Sequence, residues 1–200
     1  MNRITSHAAA IVLAGGRSSR MGEPKAMLDW HGAPLVHHVA GILTQVCRPV
    51  IVVAASGQHV PVPEGVEIAV DAAPERGPLE GIAAGIRALD GRSQAVFLAA
   101  VDLPLLHPAF VGQMLAALPG FDAAVAIADG RDQPLAAAYD SRLLERAPEL
   151  LATGEARVTA LLEHGRIRRL TVAELVEADS LRNVNTQAEY RRLLALPPRA

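Results

Sequence analysis

Short apolar runs alternate with longer stretches of helical periodicity along almost the whole chain. Ala9–Leu13 is uninterrupted apolar sequence leading into Gly15-Gly16, and Val50–Ala55, Val66–Val70, Ala95–Val101 and Ala123–Ala128 repeat the pattern. Runs of this length, several rich in β-branched residues, predict strands buried on both faces. Between them, Leu35, Val39, Ile42, Leu43 and Val46 recur at helical spacing within Pro34–Val46, after a Gly32-Ala33-Pro34 start signal. Leu79, Ile82, Ala83, Ile86 and Leu89 do the same within Pro78–Leu89, and Pro108–Leu118 reads as a further helix. Downstream, Leu135–Tyr139 and Ile167–Val172 read as strands, and Arg142–Leu151 and Val158–His164 as helices. A terminal helix over Gln187–Leu196 ends before Pro197-Pro198. Strand-then-helix alternation with wholly apolar strands predicts a three-layer α/β fold, a mainly parallel central sheet covered on both faces. The Pro-rich stretch His59–Pro63 is too short to act as a linker, so residues 1–200 are expected to form one domain.

Composition removes several function classes. Half of the residues are hydrophobic and only 20% are charged, which fits a buried core and not a disordered chain. The balance of 19 basic against 21 acidic residues, with no basic run, argues against nucleic acid as a partner. The single cysteine, Cys47, excludes an intrachain disulfide and a Cys-rich zinc or iron–sulfur site within one chain. The first apolar run is too short to cross a bilayer, and it leads directly into a glycine loop. A cytoplasmic protein without membrane association is therefore expected. Seven histidines show no ligand spacing. His37 and His38 are adjacent on a helix, cannot share a face, and are expected at the surface or in packing.

In an open parallel sheet, ligands bind beyond the carboxyl ends of the strands. That rule gathers Ala14, Gly15 and Gly16 after the first strand, Asp71 after the third and Asp102 after the fourth onto one edge. The first loop, Leu13 to Lys25, reads LAGGRSSRMGEPK. Adjacent glycines let the backbone approach an anion, Ser18 and Ser19 add hydroxyl donors, and Arg20 and Lys25 add positive charge. Lys25 is the only lysine in a chain that otherwise uses arginine, and a compact ammonium is not reproduced by a planar guanidinium. The loop matches neither the P-loop nor the GxGxxG fingerprint, and its plain alternative is an ordinary strand-to-helix connection. Asp102, in AAVDLPLL, has the chemistry of a Mg2+ ligand; equally, it could be a turn residue capping the helix from Pro108. Asp71 has the same two readings. Asp129, before Gly130, reads as a turn residue.

With these residues laid out, the chain resembles the molybdenum cofactor guanylyltransferase family, over nearly its whole length. LAGGRSSRMG…K resembles the family's nucleotide loop, GPLEGI at Gly77–Ile82 its GPLAGI segment, and VDLPLL at Val101–Leu106 its Asp-x-Pro metal motif. GEARV at Gly154–Val158 and NVNT at Asn183–Thr186 resemble two later family elements. The first and third motifs are shared by many nucleotidyltransferases; GPLEGI and NVNT are more specific. The resemblance implies a Rossmann-like nucleotidyltransferase fold and transfer of GMP from GTP to molybdopterin, with Mg2+ and release of pyrophosphate. It implies that Leu13, Ala14 and Gly15 contact the nucleotide through backbone, and that Gly16, Arg20 and Lys25 hold phosphates. Asp71 would face the nucleotide, Asp102 would bind Mg2+, and Asn183, Asn185 and Arg157 would face the pterin. Chaperones of molybdoenzyme insertion are plausible partners that no residue identifies. Without the resemblance, Asn183-Val184-Asn185 reads as a polar turn with Asn185 or Thr186 as a helix N-cap.

Two departures bear on the base. The family often reads RMGG-x-DK, whereas Glu23-Pro24-Lys25 stands here, and a proline before the lysine resembles the cytidylyltransferase relatives. Some members also carry a nucleotide-facing asparagine after the second strand, where this chain has Val52-Val53-Ala54-Ala55. Gly15-Gly16 and NVNT favour guanine. The alternatives are a molybdopterin cytidylyltransferase, a sugar-phosphate nucleotidyltransferase, or a non-catalytic GTP-binding sensor or scaffold.

Overall fold

The computed structural model describes residues 8–15 and 24–197. Strand β1 (Ala9–Leu13) lies between β4 (Val50–Ala55) and β6 (Ala95–Ala100), parallel to both, and β5 (Glu67–Asp71) extends the sheet parallel to β4. The eight-stranded sheet has the order β10-β7-β9-β6-β1-β4-β5, with β8 (Arg131–Asp132) paired to β7 (Ala123–Ala128). Here β9 (Ala136–Asp140) runs antiparallel to both β6 and β7, while β10 (Ile167–Thr171) is parallel to β7. The chain leaves β1 toward β4 and β5, then returns to β6 on the other side. That reversal opens a crevice at the carboxyl ends of β1 and its neighbours.

Period-two alternation divides the core. Ala10, Val12, Val50, Val52, Ala54, Phe97 and Ala99 pack on one face beneath α1 (Leu35–Leu43), α3 (Pro108–Ala116) and α7 (Gln187–Leu194). Ile11, Leu13, Ile51, Val53, Val96 and Leu98 pack on the other beneath α2 (Pro78–Leu89), α4 (Ser141–Leu144), α5 (Ala147–Ala152) and α6 (Thr159–Leu162). Both faces are dry, which is why these strands read as continuous apolar runs.

The strand expected over Val66–Val70 is not buried on both faces, because β5 is an edge strand that exposes Ile68 and Val70; two helix boundaries and a short hairpin also depart from the pattern. The helix expected over Arg142–Leu151 is two short helices, because Pro148 sits in the first turn of α5 and has no N–H to continue a ladder from α4. The first helix stops at Leu43 and not at Val46. Two two-residue strands, β2 (Asp29–Trp30) and β3 (Ala33–Pro34), form a hairpin too short to leave an alternation signal. Among the described residues, no helix is long and apolar enough to cross a membrane.

Candidate active site

Strand register carries the site residues to one edge. The Ala14 amide donates to the Val53 carbonyl and the Val101 amide to the Leu13 carbonyl, so the end of β1 is held between β4 and β6. Asp71 closes β5 and Asp102 follows β6 by two residues. A cleft of about 290 Å3 opens there, lined by Leu13, Ala14, Gly15, Lys25, Asp71 and Asp102 together with the start of α2. The edge convergence expected from the pattern is what the fold builds.

A short 3-10 turn, Lys25–Met27, places the lone lysine at the mouth of the cleft. Its Nζ donates to Asp102 Oδ2 at 2.6 Å and to Asn185 Oδ1 at 2.8 Å. Asp102 does not cap the helix from Pro108: that cap is His107, whose Nδ1 accepts from the Ala109 amide. Its carboxylate is instead spent on Lys25. The Asp102 carbonyl accepts from the Val184 amide at 2.9 Å, which ties the late NVNT segment to the same loop. Thr186 is the N-cap of α7, so the polar-turn reading of this segment holds, and Asn185 beside it also reaches Lys25.

Asp71 is 6% exposed. Oδ1 accepts from the Ala73 amide at 2.9 Å, an Asx turn, while the residue also lines the cleft. Burial pushes its pKa above the ordinary carboxylate value, against the Ala73 hydrogen bond, and the charges of Glu80 and Glu75 add to the rise. Gly77, at the N-cap of α2, has φ +97, and a Cβ there would stand 3.0 Å from that of Ala156. The glycine thus lets the Gly154–Val158 loop close on the start of α2.

Gly16 and Arg20 are outside the described residues. Arg157 forms a fork with Glu155, which holds the Glu155 carboxyl down at about 2, and it meets the cleft only through its neighbour Ala156. Asn183 lines a different cleft with Asp129, Arg182 and Arg192. Asp129 has φ +50 in the turn to β8, as its Asp-Gly sequence implies. Two contributors had no sequence signal. His38 Nε2 lies 2.9 Å from the Pro104 carbonyl and braces the loop after Asp102, and Gln58 Oε1 accepts from the Ala55 amide beside Ala14.

A mainly parallel sheet with a glycine just past its first strand, and a lysine and an aspartate across its switch point, is a setting for phosphate chemistry. The MobA-like NTP transferase domain model matches residues 10–170, and the chain belongs to that family. A probable molybdenum cofactor guanylyltransferase of Mycobacterium avium is 38% identical over 190 residues, covering 92% of this chain and 94% of that one. Molybdopterin-guanine dinucleotide biosynthesis protein A from Archaeoglobus fulgidus superposes with a TM-score of 0.75 at 22% identity, over 92% of this chain and 95% of that one. Rv0371C of Mycobacterium tuberculosis, solved in complex with manganese, gives 0.68 at 18% identity, over 94% and 98% of the two chains. The two structures share the fold with this protein.

Proposed function

We propose that this protein transfers GMP from GTP to molybdenum-bearing molybdopterin and releases pyrophosphate. The observation that carries the reading is the Lys25 ammonium, held between Asp102 and Asn185 at the mouth of the cleft that ends β1. The family and the guanylyltransferase relatives supply the substrate class. An ammonium has three N–H donors, and among the described residues Asp102 and Asn185 take two, which leaves the third to meet a phosphate oxygen.

The donor set fits a divalent cation that the substrate completes. Among the described residues no cluster of three or more His, Cys, Asp or Glu side chains forms a ready cage. Mg2+ takes one or two carboxylates and keeps phosphate and water ligands, which suits Asp102 alone. When bound, the cation would neutralise charge on the phosphates and on the departing pyrophosphate. The chain's own residues supply position. The backbone of Leu13, Ala14 and Gly15 takes the nucleoside, Asp71 offers an acceptor for its donor groups, and Lys25 orients a phosphate. The terminal phosphate of the pterin attacks the α-phosphorus of GTP, the bond to the bridging oxygen breaks, and its electron pair leaves with pyrophosphate. Two anions must be brought together, so positioning and charge neutralisation carry the rate, with no covalent protein intermediate.

Titration calorimetry with GTP, CTP and UTP, each with and without Mg2+, tests the base. GTP alone should bind with Mg2+ assistance; preference for CTP would move the protein to the cytidylyltransferases. Lys25→Ala and Asp102→Asn should each lower turnover by about 100-fold with the fold retained, an effect of the size seen when one preorganised charge is removed. Wild-type rates from both would sink the site assignment, and unchanged function in Asp102→Asn would favour a GTP sensor. Incubation with labelled GTP alone should leave the protein unlabelled.

A further inference from the structure

We infer that Glu189, in the first turn of the C-terminal helix, is a positioning residue that sets the Lys25 ammonium through Asn185; this rests on the phosphate-binding role proposed for Lys25. A lysine has a long side chain with several rotatable bonds and a point charge without directional preference. It holds one position only if fixed acceptors surround it. One acceptor, Asp102, stands on the loop after β6. The other, Asn185 Oδ1, belongs to a segment 160 residues away. Asn185 itself is exposed, so its side chain is held only as well as the backbone beneath it.

Glu189 supplies what is missing. Its Oε2 accepts from the amides of both Asn185 and Thr186, each at 2.9 Å, while Thr186 Oγ1 accepts from the Glu189 amide at 3.2 Å. This reciprocal capping box clamps the backbone on which Asn185 rides. The hydrogen bonds to Asn185 and Thr186 and the Lys25 charge together favour the ionised Glu189 carboxylate. One residue further, the Tyr190 hydroxyl donates to the Asp29 carbonyl, on the strand that follows the lysine turn. The Val184 amide is bonded to Asp102. The helix start is therefore anchored to both segments that meet at Lys25, and Glu189 is the group that joins Asn185 to that frame.

A double-mutant cycle separates this from a plain contribution to helix stability. Glu189→Ala, Lys25→Ala, the double variant and Glu189→Gln are compared by GTP calorimetry without metal or acceptor, and by kcat and KM for GTP. Glu189→Ala is expected to weaken GTP binding about tenfold in the wild-type background and less than about twofold on Lys25→Ala, because coupled residues are not additive. Glu189→Gln keeps an acceptor oxygen and should recover most of the loss, which guards against reading a melted helix as a positioning effect. An equal loss in both backgrounds, or wild-type binding by Glu189→Ala, would overturn the inference. Wild-type GTP binding by Lys25→Ala would instead overturn the reading of the site beneath it.

Discussion

Asp71 carries a charge that the fold opposes. Burial first, then Glu80 and Glu75, raise its pKa above the unfolded value. A carboxyl of this kind binds more protons folded than unfolded, so its contribution to stability falls as pH rises through that window. At neutral pH the penalty is fully present. Asp71→Asn keeps an oxygen for the Ala73 amide and removes the buried charge. It should raise Tm at pH 7, with the gain shrinking toward acid pH, while GTP binding weakens about tenfold, the usual scale of a lost hydrogen bond to a charged group. Scanning calorimetry across pH, paired with titration, checks both. A lower Tm at neutral pH would show that the charge stabilises the fold. Two readings of this residue were legible in sequence, turn and ligand. The turn reading describes it, because the carboxylate makes an Asx turn, and the residue also lines the cleft.

At the scale of elements, the packing of α2 on β1 decides how the cleft is floored. A Cβ at Gly85 would stand 2.7 Å from Ile11 Cγ2 and 3.2 Å from Val53 Cγ2, both on stiff β-branched side chains. Gly85→Ala should therefore destabilise the protein by about 1–2 kcal/mol, the overpacking cost exceeding the helix-propensity gain of about 1 kcal/mol. Denaturant unfolding reads this directly, and a stabilised variant would refute the contact. On the opposite face, His38 joins α1 to the loop after Asp102. Burial lowers its pKa, with the Pro104 carbonyl opposing. The Pro104 carbonyl can only accept, so Nε2 carries the proton that bridges them, and burial favours the neutral ring. Because the folded pKa lies below the unfolded one, this stabilisation is whole above about pH 6.5 and is lost as pH falls through the folded value. His38→Asn should flatten the acid side of the stability profile near pH 6; an unchanged slope would remove the histidine from that role. His38 was expected only at the surface or in packing, since nothing in a His-His pair reveals a carbonyl 66 residues away.

For the whole molecule, the alternation within β1 couples the two cores. Ala10 and Val12 belong to one, Ile11 and Leu13 to the other. Losing either layer would expose the strand shared by both, so we propose that the chain unfolds as a single cooperative unit. Calorimetric and van't Hoff enthalpies should agree, and two resolved transitions would contradict it.

By itself, the sequence determined the local elements and the edge of the sheet where chemistry gathers. Apolar runs, helical spacing and strand-end positions are short-range signals, and they suffice to gather Ala14, Gly15, Asp71 and Asp102 on one edge. The break at Pro148 between α4 and α5 is hidden behind apolar spacing that runs as one helix over Arg142–Leu151. Tertiary structure alone decided the rest. The direction of β9 was hidden because an Ala-rich strand reads the same parallel or antiparallel. Thr186 was legible as an N-cap, yet its pairing with Glu189 and what that pairing holds were not. Lys25 meets Asp102 and Asn185 across 77 and 160 residues. Such pairings leave no periodic trace, because they arise from strand order and not from the spacing of neighbours along the chain.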